Sequence, residues 1–540
     1  MIVHAKSRHL LLNLRNPARV AGVIPHLRSL RLRDGRCLHA VPHRTDEVRL
    51  LRNLGIDAPA PAVHYYGWPG RFAPYAHQRV TVGFLSLNPR AYVTSGLGSG
   101  KTLCGLWAYD WLRREGIVHK LLVVSPLSTL EPAWGSEIFR NLPELNYAVL
   151  HGAQDKRLKL LDRTDYDIYI INHDGLTNPA VLNALCKRAD IDICIIDELA
   201  CYRNRQTDRW KALNQFINGK QIKGVPDPAY PYRKWAWGFT GTPIPNAPTD
   251  AYGQCRLLTP QSVPRTFGVF RDQVMNRLTQ FKWVAKPNAL SVVHQAMQPA
   301  IRFAREDCID LPPTTHIVRD VALTPEQTAA YQAMKRHLRA LTTTGELTAA
   351  NDAVALGRLL QICAGASYAA DGSPVPLPCQ PRIDEALEVI EEADAKVIIF
   401  VPYTAALEHL AQSVATRYTV EVVHGATSRA ERDRIFSAFQ FGDAPRVLIA
   451  NPAATSHGLT LTAADTILWF APVHSNEIWE QANARIVRPG QTRNTRIVCL
   501  RGSDAEQRVY ERLQAKGKVQ GLLLDMLRDE SNTQANVLAC

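Results

Sequence analysis

Residues 95–102, SGLGSGKT, place three glycines, a lysine and a hydroxyl at spacings that suit a polyphosphate. Gly96, Gly98 and Gly100, with Ser95 and Ser99 between and before them, let the backbone curl so that its amides point inward. The strand RAYV precedes this loop and the helical segment LCGLWAYDWLRR follows it, so a helix N-terminus adds its dipole to the anion site. Lys101 is placed to reach the β- and γ-phosphates, and the Thr102 hydroxyl to hold Mg²⁺. The bland alternative, a Gly-rich turn that ends by chance in Lys-Thr, is disfavoured by the strand and helix on either side. Downstream, IDICIIDEL ends an apolar strand in Asp197 and Glu198. At the C-terminal edge of a parallel sheet Asp197 can hold Mg²⁺ and Glu198 can polarise an attacking water. Alone, an Asp-Glu pair after a strand is an ordinary solvated loop; a phosphate cradle upstream reverses that reading.

These side chains need a scaffold, and two stretches show it. Short Val- and Ile-rich strands, apolar on both faces, alternate with amphipathic helical segments, the pattern of a parallel sheet covered on each side. The first stretch predicts strands at 91–93, 121–125, 147–151, 167–172, 191–197 and 235–240, the second at 396–401, 420–424, 446–450, 466–470 and 496–500. Between them PEQTAAYQAMKRHLRAL and TAANDAVALGRLLQICA have helical periodicity, and the proline-rich DGSPVPLPCQP reads as a linker. The expected division is a basic N-terminal module at 1–70, a first domain at 71–258, a helical protrusion and linker at 259–385, a second domain at 386–515 and a tail at 516–540.

A chain of 540 residues is too long for one core. Its hydrophobic fraction of 46% and charged fraction of 21% are those of an ordinary globular protein. No apolar run reaches the roughly 18–20 residues that span a bilayer, and the N-terminal apolar stretch is too short for a secretory signal, so a cytoplasmic protein is expected. Eleven cysteines without a CxxC pair, most of them in apolar stretches, point to reduced buried thiols rather than zinc or disulfides. Of the formal charge of +13, residues 1–53 carry +8, from eleven Lys and Arg against Asp34, Asp46 and Glu47. A basic lobe calls for a polyanionic partner.

The order of motifs resembles helicase superfamily two, specifically its Swi/Snf-like branch of duplex-DNA translocases. PYAHQ (74–78) looks like the adenine-reading motif that ends in Gln78, VVSPLSTLEPAW like motif Ia, DELACYRN like motif II and GFTGTPIPN like motif III. RLLQICAG is similar to a helical signature at the entry of the second motor domain. VIIFVPYTAALEHL resembles motif IV, ATSHGLTLTAADTIL motif V and QANARIVRPGQTRNTRIVCL motif VI. Any one motif is weak evidence; the ordered set, over roughly residues 72–515, is specific. Three departures stand out: Ser95 replaces a Gly or Ala, Ala200 replaces the His of motif II, and Thr455, Ser456 and Thr460 replace two glycines and an Asn of motif V. They mark a divergent member, with a bacteriophage or mobile element as the expected source and the host cytoplasm as the expected location.

The resemblance implies an α/β fold of two RecA-like parallel-sheet motor domains with a helical insertion and a small basic N-terminal α+β module. It implies ATP and Mg²⁺ as cofactors, with Gly458, Asp465 and Gln481 joining the nucleotide site and Arg485 and Arg488 as fingers that neutralise γ-phosphate charge. Without the flanking Gln481, Gly490 and Gln491, an RxxR pair would read as one face of a surface helix. Ser125, Pro126, Thr240, Gly241, Thr242, Thr455 and Ser456 are expected to grip phosphates of duplex or branched DNA without reading its sequence, and Asn172 and His173 are candidates for that surface. Trp68, Trp134, Trp235 and Trp237 raise the alternative of base stacking, against core packing. In the basic module, alternation puts Arg31 and Arg33 on one face of a strand and Leu30 and Leu32 on the other, so the arginines form either a solvated face or a DNA clamp. The expected activity is DNA-dependent ATP hydrolysis driving translocation on duplex DNA and remodelling of forks or protein–DNA complexes. The alternatives are a strand-separating helicase and a nucleic-acid-binding protein whose ATPase has decayed.

Overall fold

A computed structural model describes residues 1–33, 37–71, 73–96, 98–222, 225–228, 230–279, 283–303, 311–343, 349–368, 374–455, 460–488 and 490–515. The chain divides into two compact units, with the boundary between Cys308 and Ile309.

The first unit is built on a seven-stranded sheet, all parallel. Its order is Ala300–Ile301, Arg90–Val93, Trp235–Phe239, Ile191–Asp197, Lys120–Ser125, Ile168–Asn172 and Tyr147–Val149. Alternation along a strand divides its side chains between two cores: Leu121 and Val123 enter one apolar cluster, Leu122 and Val124 the other. All four are fully buried, which is why the run reads as continuously apolar. The helix Lys101–Arg114 lies so close to the sheet that a Cβ on Gly105 would stand 2.8 Å from the Phe239 ring.

The second unit carries a six-stranded parallel sheet ordered Thr314–Asp320, Thr495–Arg501, Ala464–Trp469, Lys396–Phe400, Val447–Ala450 and Val420–Val423. Ile398 and Phe400 point into one cluster, Val397 and Ile399 into the other. The architecture is thus the two-sheet α/β fold expected.

The stretch between the sheets holds helices, among them Phe267–Val274, Ala289–Ala296, Pro325–Thr343 and Ala349–Cys363. It also supplies an edge strand to each sheet, at Ala300–Ile301 and Thr314–Asp320. Neither was legible in the sequence. The first has two residues, and the second, TTHIVRD, has much of its length exposed, so it lacks the apolar signature of a covered strand.

The N-terminal module is a four-stranded antiparallel sheet, Ile2–His4, His9–Leu12, Cys37–Pro42 and Arg28–Arg31 in spatial order, backed by the helices Pro17–Ala21 and Thr45–Asn53. It belongs to the first unit and shares its small core, which includes Leu10, Val41, Val48 and Leu51, with Leu87 of the helix Ala76–Leu87. The expected two-faced strand is corrected here. Arg28–Arg31 is an edge strand exposed along its whole length, with Leu30 43% exposed, so no buried leucine face opposes Arg31. Arg33 is exposed as well.

Candidate functional site: the phosphate loop and the Asp-Glu pair

Four strands of the first sheet end side by side, and their C-terminal ends deliver the chemistry. Arg90–Val93 runs into the phosphate loop, Ile191–Asp197 ends in the acidic pair, Trp235–Phe239 leads into Thr240 and Lys120–Ser125 ends at Ser125. Open parallel sheets bind their ligands at this edge.

The loop reaches its geometry through glycines. Gly98 and Gly100 have φ of 85° and 76°, the left-handed region that side chains disfavour. A Cβ at Gly100 would also stand 2.3 Å from the Gln78 amide nitrogen. Gln78 is buried and its Oε1 accepts the Tyr75 backbone N–H at 3.0 Å, while the His77 ring nitrogen Nε2 pairs with the Ser99 carbonyl at 3.0 Å. The first turn of the helix Ala76–Leu87, which carries His77 and Gln78, therefore braces the loop. Lys101 Nζ donates to the carbonyls of Ser95 at 2.8 Å and Gly96 at 2.9 Å. Burial pulls its pKa below the ordinary lysine value, opposed by the charges of Glu198 and Asp197. Thr102 is half-buried at the start of the helix.

Ser95 now has a physical account. Its hydroxyl accepts the Phe303 backbone N–H at 3.1 Å, and the Gly96 N–H reaches the Phe303 carbonyl at 3.1 Å. Arg302 donates to the Thr94 carbonyl at 2.8 Å. Residues 299–303 thus run alongside the loop and hold its first turn, a contact across some two hundred residues of sequence.

The acidic pair is held as firmly. Asp197 Oδ2 accepts from the Ser125 hydroxyl at 3.1 Å and from the Trp134 indole at 3.0 Å, and Oδ1 accepts the Glu198 N–H at 3.2 Å. Trp134 is fully buried in a π-helical turn, Leu130–Gly135. Glu198 adopts φ of 55°, a left-handed backbone that costs a non-glycine residue roughly 1–2 kcal/mol. Strain of this kind persists where the surroundings enforce it, commonly at working sites. The Thr240 hydroxyl donates to Glu198 Oε1 at 3.3 Å and accepts the Thr242 N–H at 3.1 Å.

Several expected nucleic-acid contacts are therefore corrected. Ser125, Pro126, Thr240 and Thr242 are buried, and the hydroxyls of Ser125 and Thr240 are spent on Asp197 and Glu198. Gly241 is half-buried. His173 is buried with Nδ1 against the Tyr202 hydroxyl at 2.9 Å, and the Asn172 side chain packs on Gly175. Of the tryptophans, Trp134, Trp235 and Trp237 are core, and Trp68 packs edge-on against Trp107.

In the second unit Asp465 is buried and its carboxylate accepts the Ala395 N–H at 2.9 Å and the Thr466 hydroxyl at 2.8 Å, so it anchors the start of a strand rather than presenting itself to a nucleotide. Thr455 is fully buried and donates to the Pro452 carbonyl at 3.0 Å, which takes it off the expected phosphate surface. Gly458 and Ser456 lie outside the described residues. Gln481 is buried within the helix Asn476–Asn483; Arg485, just beyond it, is buried and Arg488 half-buried. The turn that carries them is organised by Gln491, which donates to the carbonyls of Ala464 at 2.8 Å and Ile486 at 3.3 Å and accepts the N–H groups of Thr492 and Arg493.

Sequence reasoning missed Trp134, Arg302 and Phe303 as parts of this site. Trp134 had a signal, since it closes VVSPLSTLEPAW, but its indole was weighed only for stacking or packing. Arg302 and Phe303 had none.

Comparison with known families then decides the assignment. Residues 77–365 match the SNF2-related domain and residues 381–490 the helicase conserved C-terminal domain. The chain belongs to the SNF2-related family. It is an ATP hydrolase of the nucleic-acid-dependent kind that these two domains form. Among its relatives, a phage protein, putative protein p41 of Acyrthosiphon pisum secondary endosymbiont phage 1, is 25% identical, with 85% of this chain and 99% of that one covered. Chromodomain-helicase-DNA-binding protein 1-like of Danio rerio is 25% identical over 82% of this chain and 43% of its own length. A Sulfolobus solfataricus SWI2/SNF2 ATPase core in complex with dsDNA aligns with a TM-score of 0.39 and 22% identity, covering 87% of this chain and 95% of that one. The chain thus spans under half the length of the zebrafish relative, and nearly all of the phage protein. No helix among the described residues is long and apolar enough to cross a membrane.

Proposed function

We propose that this SNF2-related ATPase translocates on duplex DNA without sequence preference and uses that movement to remodel forks, branches or protein–DNA complexes. The observation that carries the reading is the convergence of the phosphate loop, Asp197 and Glu198 on one sheet edge, with every one of these groups held by a second residue. A decayed ATPase would have no reason to retain a strained Glu198 or a tryptophan bonded to Asp197.

The residues fit ATP with Mg²⁺. The Ser99 hydroxyl is buried with no partner among the described residues, inside the loop whose Ser95 and Gly96 carbonyls Lys101 Nζ holds. Thr102 and Asp197 supply the hard oxygen donors Mg²⁺ prefers, and Asp197 keeps lone pairs beyond the three hydrogen bonds it accepts. Bound there, Mg²⁺ would neutralise charge developing on the transferred phosphoryl group. Gln78 braces Gly100 and is the proposed contact to adenine, with Gly458 and Gln481 assigned to the nucleotide from the second unit. Lys101 contributes a point charge to the β- and γ-phosphates. Glu198, steadied by Thr240, orients and polarises the attacking water. Arg485 and Arg488 are assigned as the cations that neutralise γ-phosphate charge, an effect worth on the order of 10³–10⁵ in rate. Coupling from the nucleotide to the DNA track is assigned to Thr240, whose hydroxyl touches Glu198 and whose neighbour Gly241 is half-buried. The phage relative supports a role in the cytoplasm of an infected host.

The test is ATP hydrolysis with and without duplex DNA, followed on the same preparation by triplex displacement and fork unwinding. Stimulated hydrolysis with triplex displacement and no unwinding of a plain fork is the expected result. Unwinding of a plain fork would make the protein a strand-separating helicase instead, and hydrolysis indifferent to nucleic acid would refute the reading.

A further inference from the structure

A cavity of about 660 Å³ opens in the first unit between the N-terminal module and the C-terminal end of the helix Lys101–Arg114, whose N-terminal end carries the phosphate-loop residues Lys101 and Thr102. Its wall carries Lys6, Arg8, Arg28 and Arg44, with His9 and His26 beside them. Against these four permanent cations stands one carboxylate of the lining, Glu115, which lies 3.8 Å from Arg8. Among the described residues the side chains of Lys6, Arg28 and Arg44 enter no hydrogen bond or ion pair.

Cations on a merely solvated face gain by spreading apart; these converge on a concavity, where low-dielectric walls focus their field. One of them is held there at a cost. Arg8 adopts φ of 50° at the end of the turn Ala5–Ser7, and its guanidinium lies 4.8 Å from the centre of the Tyr65 ring. Tyr65 and Trp111 make the wall aromatic as well as basic. Tyr65 is itself fixed through its hydroxyl, 2.9 Å from Nδ1 of the buried His43. Positive charge beside aromatic surface is the combination that takes a phosphate and the base or sugar attached to it.

We propose that this cavity is an accessory site for a nucleotide phosphate ester, either a backbone phosphate of nucleic acid or the phosphate of a free nucleotide. The site is distinct from the ATP-hydrolysing centre and needs no turnover there. Its nucleic-acid form rests on the proposed DNA track.

The experiment compares the full chain with a Lys6→Gln/Arg28→Gln/Arg44→Gln variant, three exposed positions outside the hydrolytic machinery. In one arm fluorescence anisotropy follows binding of a labelled duplex across a salt series. In the other, calorimetry follows binding of thymidine 5′-monophosphate to each chain, the phosphate loop being identical in the two. Each phosphate contact adds about 0.9 to the slope of log affinity against log salt, so a backbone site predicts a variant slope shallower by about one to three. A free-nucleotide site predicts monophosphate binding by the natural chain that falls at least tenfold in the variant. Equal slopes together with monophosphate binding that is absent or unchanged would overturn the proposal. Basal ATPase activity is expected to be the same in both chains. Loss of DNA stimulation from the natural chain would refute the translocase reading and leave this comparison decided by its own two arms.

Discussion

Replacing Trp134 with Phe keeps most of a buried ring and removes one atom that matters, the indole nitrogen 3.0 Å from Asp197 Oδ2. That oxygen keeps the Ser125 hydroxyl at 3.1 Å, and the other keeps the Glu198 N–H at 3.2 Å. A hydrogen bond to a charged group contributes about 1.5–3 kcal/mol. If the bond serves to orient the carboxylate toward Mg²⁺ and the γ-phosphate, that energy appears in the transition state. At 1.36 kcal/mol per tenfold, the expected loss in kcat is about ten- to a hundredfold. The apparent Mg²⁺ requirement should rise in parallel. Ser125→Ala should shift both quantities in the same direction, and the double variant should lose less than the sum of the two, since both donors serve one oxygen. The assay is steady-state ATP hydrolysis at saturating DNA across a Mg²⁺ titration, with circular dichroism to verify the fold. A well-folded Trp134→Phe chain whose kcat and Mg²⁺ half-saturation stay within twofold of the natural values would refute the orienting role and return Trp134 to plain core packing.

Lys101→Ala should lose both ATP binding and hydrolysis, whereas Glu198→Gln should keep binding and lose hydrolysis; equal loss of binding in the two, measured with a fluorescent nucleotide, would exclude Glu198 as the water-polarising group. Arg485→Ala and Arg488→Ala should each lower turnover by two or more orders of magnitude with little change in nucleotide affinity. Wild-type hydrolysis by either at saturating DNA would strike that arginine from the mechanism. Stability should fall in mild acid through His43, whose burial pushes its pKa down to about 4. Its neutral ring accepts from the Tyr65 hydroxyl on Nδ1 and donates from Nε2 to the Pro59 carbonyl at 2.8 Å. The unfolded chain binds the proton more tightly, so this contribution is full above the unfolded value near 6.5 and is lost as pH falls toward 4, by at most about 3 kcal/mol. The thermal midpoint of His43→Gln, lower at neutral pH, should fall less over that window; parallel curves would contradict the assignment.

What the sequence determined by itself was local or periodic. Gly98 and Gly100 ahead of Lys101 and Thr102 announce a phosphate loop because its backbone enters the left-handed region that side chains disfavour. Strands such as KLLVVS and IDICIID announce a covered parallel sheet because both their faces must be apolar. Motif order was enough for the family.

What only the tertiary structure decided depends on partners remote in the chain. A serine at the end of a strand looks the same whether it faces a phosphate or a carboxylate, and Ser125 proves to hold Asp197, as Thr240 holds Glu198. Asp465 and Thr455 turn inward for the same reason: a buried polar group must be satisfied, and the nearest backbone satisfies it. The edge strand Ala300–Ile301, with Arg302 and Phe303 behind it, carries no pattern of its own. It exists because the rim of the sheet and the first turn of the phosphate loop offer backbone groups that need partners, and residues two hundred positions away are the ones that reach them.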